Sequence, residues 1–236
     1  MIARLFFALA ALVAVAWPAT AAAQDEEIVV TASRRASSYE SLVPPTVSIK
    51  QRADFAIASL EINNDTRDMS QRMGEVREAL RGLLARTRSG AITLAIVDDD
   101  VGVVRPFSLA AAEDLIRAGR RADTSSITIR LRTAIDEDDT LEGVLARFAA
   151  FVEAAPKPGR TEMEVGDLQL TMVNVDRYRE PLLTAIAQDG RRTAELFGSG
   201  YAIEVTGLEN QVAWLRTGDL QLTLFIPYDM TVTPQR

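Results

Sequence analysis

The sequence predicts an α+β fold in which helices pack on a largely antiparallel mixed sheet. Apolar periodicity along the chain changes in the order β, α, β, β, α, β, α, β, α, β, β, β, and this mixed order is typical of the class. The chain has 236 residues, 47% of them hydrophobic and 25% charged, so it has ample apolar material for a core. Residues 46–234 are therefore expected to form an α+β domain that is open to division into two lobes.

The first predicted unit is a strand, a helix and a strand. Alternating apolar residues over 46–62 predict a long strand with a bend near 50–54. Asp68 suits the N-cap of a helix whose apolar residues recur at steps of three and four until Gly90 ends it. Two apolar pieces within 91–107 then predict further strands.

The middle of the chain continues to alternate between the two periodicities. Residues 109–118 predict a short helix, and strict alternation over 125–135 predicts a strand with one buried and one wet face. The acids of 136–139 precede a helix predicted for 140–155, where negative charge suits the positive end of a helix. After a break at two prolines and a glycine, residues 162–174 are expected to return as a strand.

The last predicted elements are a long helix over 175–198 and strand-like pieces at 201–208, 210–216 and 219–232. We expect these strands to form a sheet that receives the helix. The apolar residues at helical spacing that mark the packing stripe are Tyr178, Leu182, Ile186, Ala194 and Phe197.

Residues 1–23 have the organisation of a cleavable export signal. Arg4 supplies the positive start, 5–17 the apolar run, and three alanines at 21–23 the small-residue cleavage site. The apolar run is shorter than the roughly 20 residues that span a bilayer, and no later segment predicts a span. The sequence therefore predicts a protein that is secreted through a cleaved signal into the periplasm.

Charge and cysteine content restrict the partners of this chain. Removal of the signal leaves 25 basic against 33 acidic side chains, a formal charge of −8. An acidic surface repels nucleic acid and anionic lipid, so no nucleic-acid partner is expected. There are no cysteines, which excludes a disulfide and a lipidated cysteine.

Residues 24–45 predict a flexible N-terminal segment that carries a short strand-forming peptide before the pair of prolines at 44–45. The peptide resembles the TonB box of TonB-dependent outer-membrane transporters, which implies strand addition to a partner's sheet edge. The chain departs from those transporters because it is too short for their plug and barrel. The alternative is a disordered or self-docking N-terminal strand. The candidate partner-binding residues are Glu26, Glu27, Ile28, Val29, Val30, Thr31 and Ala32.

One helix pattern precedes the closing strands of the chain, and its residues are Tyr178, Leu182, Ala185, Ala194 and Gly198. With this pattern, the region 46–232 resembles the SIMPL domain (signalling molecule associated with mouse pelle-like kinase) of exported bacterial envelope proteins. In that family a strand leads into a helix with regularly spaced tyrosine, leucine and alanines, then a glycine and closing strands. This chain departs from the pattern at Asp189 and Gly190, where alanines are usual, and at 50–54, where the family has glycines and a Pro-Asp pair.

The resemblance implies an envelope protein without a known catalytic motif, some of whose relatives form ring-like or channel-like oligomers. The residues agree, because the chain has no histidine and no cysteine and so lacks histidine-based catalysis, cysteine nucleophiles and ordinary zinc or copper sites. The acidic runs at 98–100 and 136–139 lack the spacing of a calcium loop. No cofactor and no metal is expected, and the chain is predicted not to be an enzyme.

The leading hypothesis from the sequence is a non-enzymatic periplasmic SIMPL-like protein that acts through protein contacts or self-association, with coupling to TonB through residues 26–32. The alternative is a periplasmic binding module for a small apolar or anionic ligand in a cleft between sheet and helices. A hydrolase that uses two carboxylates is a third and weaker hypothesis, because two acids can meet only in the fold.

Overall fold

The structure of the protein, a computed structural model, describes residues 44–88, 90, 92–98, 103–119, 121 and 123–234. It confirms the α+β class, with helices packed on antiparallel sheets. The predicted signal at 1–23 and the peptide at 26–32 lie outside the described residues. None of the helices in the described ranges has the length and apolarity needed to cross a bilayer.

The described chain contains eleven strands and four α-helices. The strands are β1 Ile49–Arg52, β2 Phe55–Asn64, β3 Ile92–Asp98, β4 Val103–Pro106, β5 Arg117–Ala118, β6 Ser125–Ala134, β7 Thr161–Thr171, β8 Tyr201–Thr206, β9 Ala213–Arg216, β10 Gln221–Phe225 and β11 Asp229–Pro234. The helices are α1 Met69–Thr87, α2 Leu109–Asp114, α3 Leu141–Glu153 and α4 Arg179–Phe197, which follows a single 3₁₀ turn at Val175–Tyr178.

Six strands form the main sheet, and all of its pairings are antiparallel. Its order is β4, β3, β6, β2, β7, with the short β5 paired to one end of β6. Helices α1 and α3 pack on one face. The central residues of the core they enclose are Leu60, Ile62, Val76, Leu80, Leu83, Ile127, Ile129, Leu131, Val144 and Phe148. The predicted alternation of β6 is confirmed, because every second residue of that strand is buried.

The predicted long strand at 46–62 is divided between two sheets. β1 pairs with β10 in a three-stranded sheet of order β1, β10, β9, whereas β2 is central in the main sheet. Two hydrogen bonds of Asp54 fix the point where the chain passes from one sheet to the other. Its backbone N–H donates to the Thr171 carbonyl at 3.1 Å, and its Oδ2 accepts from the Val173 N–H at 2.8 Å. The bend expected near 50–54 is therefore the point where the chain changes sheets.

The helix boundaries follow their caps, with one correction. Asp68 accepts from the Gln71 N–H at 2.8 Å and caps α1, as the sequence predicts. The helix predicted for 109–118 is wrong in its second half, because α2 ends at Asp114 and residues 117–118 pair with β6. A helix of six residues has little stability of its own, so the end of the segment forms a strand paired with β6 instead of a further helical turn.

The C-terminal strands do not form a single sheet. β8 and β11 make a separate two-stranded sheet, called the ribbon here, while β9 and β10 join β1. Helix α4 buries Leu182, Ile186 and Gly190. The stripe predicted for α4 is wrong at Phe197, which is 54% exposed, because the narrow ribbon leaves the last turn of the helix uncovered.

Candidate functional site

The face of the main sheet that points away from α1 and α3 carries mostly polar side chains. Its members alternate with the core residues of β2, β6 and β7, and the register places Ser59 opposite Arg130, and Glu61 between Thr128 and Glu164. We call this surface the polar face. A sheet with one buried and one polar face is the arrangement that the alternation in β6 predicts.

One half of the polar face is closed by its own long side chains. The Arg132 guanidinium lies 3.6 Å from the centroid of the Phe55 ring. Ile57 faces Arg132 on one neighbouring strand and Gln169 on the other, and it is only 2% exposed. The long side chains of Arg132 and Gln169 thus lie beside Phe55 and Ile57 and cover apolar surface on this half of the face.

The other half of the polar face opens into a cleft of about 480 Å³. Four carboxylates and two guanidinium groups line it, so its lining is negative overall, and a positively charged or hydroxyl-rich molecule fits this chemistry better than an anion does. The lining residues are Ser59, Glu61, Asn63, Asn64, Asp65, Arg121, Thr124, Thr128, Arg160, Glu162, Glu164 and Gly166. The cleft therefore lies on the side of the sheet opposite to the helices. The alternative hypothesis of a binding module placed its cleft between sheet and helices.

Two carboxylates face each other directly across the floor of this cleft. Glu61 and Glu164 are partners in the β2–β7 ladder, and like charges in such a pair are destabilising. Glu61 Oε1 accepts from Asn63 Nδ2 at 3.1 Å, which offsets part of the repulsion. At the rim, Arg160 Nε lies 2.9 Å from Asp65 Oδ1 in a water-exposed ion pair. The floor of the cleft thus carries two carboxylates at adjacent positions of neighbouring strands.

A β-bulge shapes the cleft beside these carboxylates. The register of β2 and β7 shifts between Ala58 and Leu60, so Ser59 lies against Gly166. A Cβ on Gly166 would come 2.3 Å from the Ser59 Oγ. The glycine therefore permits the close approach that the bulge requires.

A buried polar network closes the end of the sheet next to the cleft, and Glu75 of α1 is its centre. Glu75 Oε2 accepts from Asn64 Nδ2 at 2.8 Å and from Thr66 Oγ1 at 2.6 Å, and Oε1 accepts from Gln71 Nε2 at 2.9 Å. The Thr66 hydroxyl and the Asn64 amide hold the pKa of the Glu75 carboxyl below its usual range, against the opposing effect of burial. This network keeps the carboxylate ionised.

Neighbouring residues fix the Glu75 carboxylate in place. Gly159 has a φ of +57°, and a Cβ added to it would come 2.1 Å from the Glu75 Cδ. Arg72, also on α1, donates from Nε to Ser125 Oγ at 2.9 Å and from Nη1 to the Thr66 carbonyl at 2.7 Å. Because Glu75 is ionised and both of its oxygens accept hydrogen bonds, it is a structural group and is unsuited to act as a general acid.

Exposed apolar side chains form a second candidate site at the end of α4. Leu196 is 80% exposed, Phe197 54% and Tyr201 43%, and the last two rings lie 6.0 Å apart at an angle of 56°. We call these three residues the α4 patch. Single exposed apolar residues are normal, but two aromatic rings in contact beside an exposed leucine are typical of a contact surface.

The acidic runs at 98–100 and 136–139, which lack the spacing of a calcium loop, have local roles where the structure describes them. Asp139 is paired with Arg147, and its Oδ2 accepts from the Asp136 N–H at 2.9 Å, which closes the turn before α3. Only the first residue of 98–100 belongs to the described ranges. Within those ranges, no group of three or more acidic side chains is arranged to hold a metal ion.

Sequence reasoning did not identify the cleft or the α4 patch. Its candidate residues Glu26 to Ala32 lie outside the described residues, so the structure places none of them. The alternation of β2 and β7 was a usable signal for the cleft, since it puts Ser59, Glu61 and Asn63 of β2 on one face and the acids Glu162 and Glu164 at alternate positions of β7. The sequence did not show that β2 and β7 are neighbours in the sheet.

No family model, no curated protein and no solved structure matches this chain. The resemblance to the SIMPL domain therefore rests on the sequence features described above.

Proposed function

We propose that this chain is an exported SIMPL-like protein that acts without catalysis, through protein contacts and self-association, in the periplasm. The observation that supports it best is the α4 patch, where three large apolar side chains meet water together. Full burial of one such side chain contributes about 1.5–3 kcal/mol, so the patch supplies a real driving force for association. Aromatic residues are also the residue type enriched at the centres of protein interfaces.

Residues 26–32 are the second contact in this proposal, directed at a TonB-type partner. A β-branched peptide upstream of the folded domain is suited to add itself as a strand to a free sheet edge, where backbone hydrogen bonds provide affinity and alternate side chains provide specificity. The linker at 33–45 separates this peptide from the folded domain.

Light scattering on the chain from Gln24 onward tests self-association. We expect a discrete oligomer, and we expect the double substitution Phe197→Ser and Tyr201→Ser to shift it to the monomer mass. Leu145→Ser is the matched control, because Leu145 is an exposed apolar residue of α3 at 42% exposure outside the α4 patch. A monomer at high micromolar concentration, or an oligomer that the double variant leaves intact, would contradict this part of the proposal.

Binding to a TonB C-terminal domain tests the second contact. Calorimetric titrations compare the chain from Gln24 with the same chain lacking residues 25–32. Binding that depends on the peptide supports the contact, whereas equal binding by both proteins, or no binding by either, rejects it.

The cleft on the polar face favours a second candidate function, the binding of a small ligand that carries positive charge. Glu61 and Glu164 are direct partners in the β2–β7 ladder there, and both line the cleft. Spermidine is a suitable probe for a calorimetric titration. We expect its affinity to fall at least about tenfold in a Glu61→Gln, Glu164→Gln variant. A titration without saturable heat, or one that the double variant does not weaken, removes this candidate.

A further inference from the structure

The outer edge of β11 is an unused strand edge. In the part of the chain that the structure describes, β11 pairs only with β8, so its other side presents backbone donors and acceptors without a strand beside them. Natural proteins protect such edges, because a free edge is a template for a further strand. The edge strand β7 of the main sheet is protected in this way by the exposed acids Glu162, Glu164 and Asp167 and by its bulge.

The topology shows which side of β11 is free. β8 and β9 run along one side of β10 and β11, as the two arms of one long bent hairpin. The links 207–212 and 226–228 stay together at the bend, since Asn210 Nδ2 donates to the Pro227 carbonyl at 2.7 Å. β1 pairs with the opposite side of β10. The free edge of β11 is therefore the continuation of the edge that β1 occupies.

The N-terminal part of the chain arrives at this same edge. β1 is antiparallel to β10, with Ile49 opposite Leu224, so the residues that precede β1 run toward β11. The Val47 backbone hydrogen-bonds to the hydroxyl of Tyr228, the residue directly before β11. The ladder of β1 with β10 ends at Ile49, and Pro45, upstream of it, cannot donate a ladder hydrogen bond. The chain upstream of Pro44 thus begins beside an empty strand position.

We propose that residues 27–32 of the same chain occupy this position as a third strand of the ribbon. Met230 and Val232 of β11 lie on the face of the ribbon that holds Ile203, which packs on α4 at Gly190, while Thr231 and Thr233 lie on the opposite face. A strand at 27–32 has the matching alternation. Its apolar positions Ile28, Val30 and Ala32 extend the α4-facing side, and Glu27, Val29 and Thr31 extend the other.

The linker is long enough for this arrangement. β11 has six residues and is about 20 Å long. The eleven residues 33–43 span up to about 36–40 Å, so the peptide reaches the edge in either direction. Tethering at this length gives an effective concentration in the millimolar range, which favours docking within one molecule over pairing between molecules.

Docking in this way makes residues 27–32 unavailable to any other sheet edge until they are released. The free edge of the ribbon and the partner of the proposed function would compete for one peptide. The inference goes beyond the proposed function and does not rest on it, because the peptide would dock on β11 whether or not a TonB-type partner exists.

Disulfide trapping tests the docked strand, and the chain is suited to it because it contains no cysteine. Val29→Cys is combined with Thr231→Cys or with Thr233→Cys in the chain from Gln24. Glu204→Cys on β8 is the matched control: Glu204 and Thr231 are both exposed and are partners in the β8–β11 ladder. Residues on adjacent strands lie within disulfide reach, whereas a strand two positions away, at about 10 Å, does not.

We expect an intramolecular disulfide, at monomer mass on a non-reducing gel, with Thr231→Cys or Thr233→Cys and at least about tenfold less with Glu204→Cys. Equal trapping at both strands indicates a peptide without a fixed place and overturns the inference. A covalent dimer indicates that a second copy donates the strand and also overturns it. The failure of TonB binding would leave this result unchanged, so the two proposals fail separately.

Amide hydrogen exchange gives a second readout that needs no cysteine. The β11 amides that do not bond to β8 should exchange at least about tenfold more slowly in the chain from Gln24 than in the chain lacking residues 25–32. A Val29→Pro, Thr31→Pro variant, which cannot complete a ladder, should exchange like the deletion. Equal exchange in all three proteins would overturn the proposal.

Discussion

The main sheet and the ribbon are both antiparallel, but they differ in how completely their groups are partnered. The main sheet has a helix layer on one face, and at its end Glu75 accepts hydrogen bonds on both carboxylate oxygens. The ribbon has two strands, a free edge on β11, and an uncovered helix end at Phe197. We therefore expect the helix-covered face of the main sheet to contribute most of the stability. The groups that can contact other molecules lie on the ribbon and, on the other face of the main sheet, in the cleft.

The largest expected difference between the two regions comes from the same substitution made in each. Ile129→Ala on β6 removes a fully buried side chain and should cost about 2–5 kcal/mol of unfolding free energy. Ile203→Ala on β8 removes a half-buried side chain and should cost roughly 1 kcal/mol. Urea unfolding measures both. Equal costs would mean that the ribbon is as integral to the fold as the main sheet.

The glycine beside Glu75 gives the next largest effect. Gly159→Ala should destabilise by roughly 2–3 kcal/mol, because alanine is strained at φ +57° and its methyl group displaces the carboxylate. Gly74→Ala is the control within α1, where an added Cβ meets no atom within 4 Å. That substitution should stabilise by about 0.5–1 kcal/mol. Similar effects of the two would show that the Glu75 network is not rigid.

The pH dependence of stability isolates the same network. Because the pKa of Glu75 is lower in the folded chain than its ordinary value of 4.5, the folded state binds fewer protons than the unfolded state. The stabilisation is fully present above about pH 4.5 and is lost as the pH falls through the folded-state value. Urea unfolding between pH 3 and 7 should therefore show a shallower acid decline for Glu75→Gln than for the parent chain. Parallel declines would contradict the assignment.

The smallest effect on stability is expected at the α4 patch. Phe197→Ser removes a side chain that is already mostly in water, so the unfolding free energy should change by less than about 0.5 kcal/mol. The mass in light scattering should nevertheless fall. A large loss of stability in a monomeric sample would place Phe197 in the fold and outside any interface.

The sequence was sufficient where structure depends on nearby residues. Asp68 caps α1, and the alternation of β6 yields a buried and a polar face, because both features depend on neighbours a few positions apart. The change of sheet at Asp54 is different. It depends on the carbonyl of Thr171 and the N–H of Val173, which lie on a distant part of the chain, so local periodicity showed only that a bend was there.

The candidate sites needed the same distant information. In the sequence, nothing distinguishes Glu61 and Glu164 from the other acids. They become a pair only through the β2–β7 register. The exposure of Phe197 was missed because helical spacing alone cannot show how wide the opposing sheet is. The opposite holds for residues 26–32. The sequence identifies them as candidates, but they lie outside the described residues.

The crossing at Ala53 and Asp54 determines where tension on the N-terminal segment would act. The chain from Pro44 passes through only the four residues of β1 before it enters β2, the strand that is paired on both sides in the main sheet. Tension applied at Pro44 would therefore be carried through the β1–β10 ladder to β2, a ten-residue strand held by two ladders. Pro44 is thus joined, through the four residues of β1, to a strand that two neighbours hold along its length.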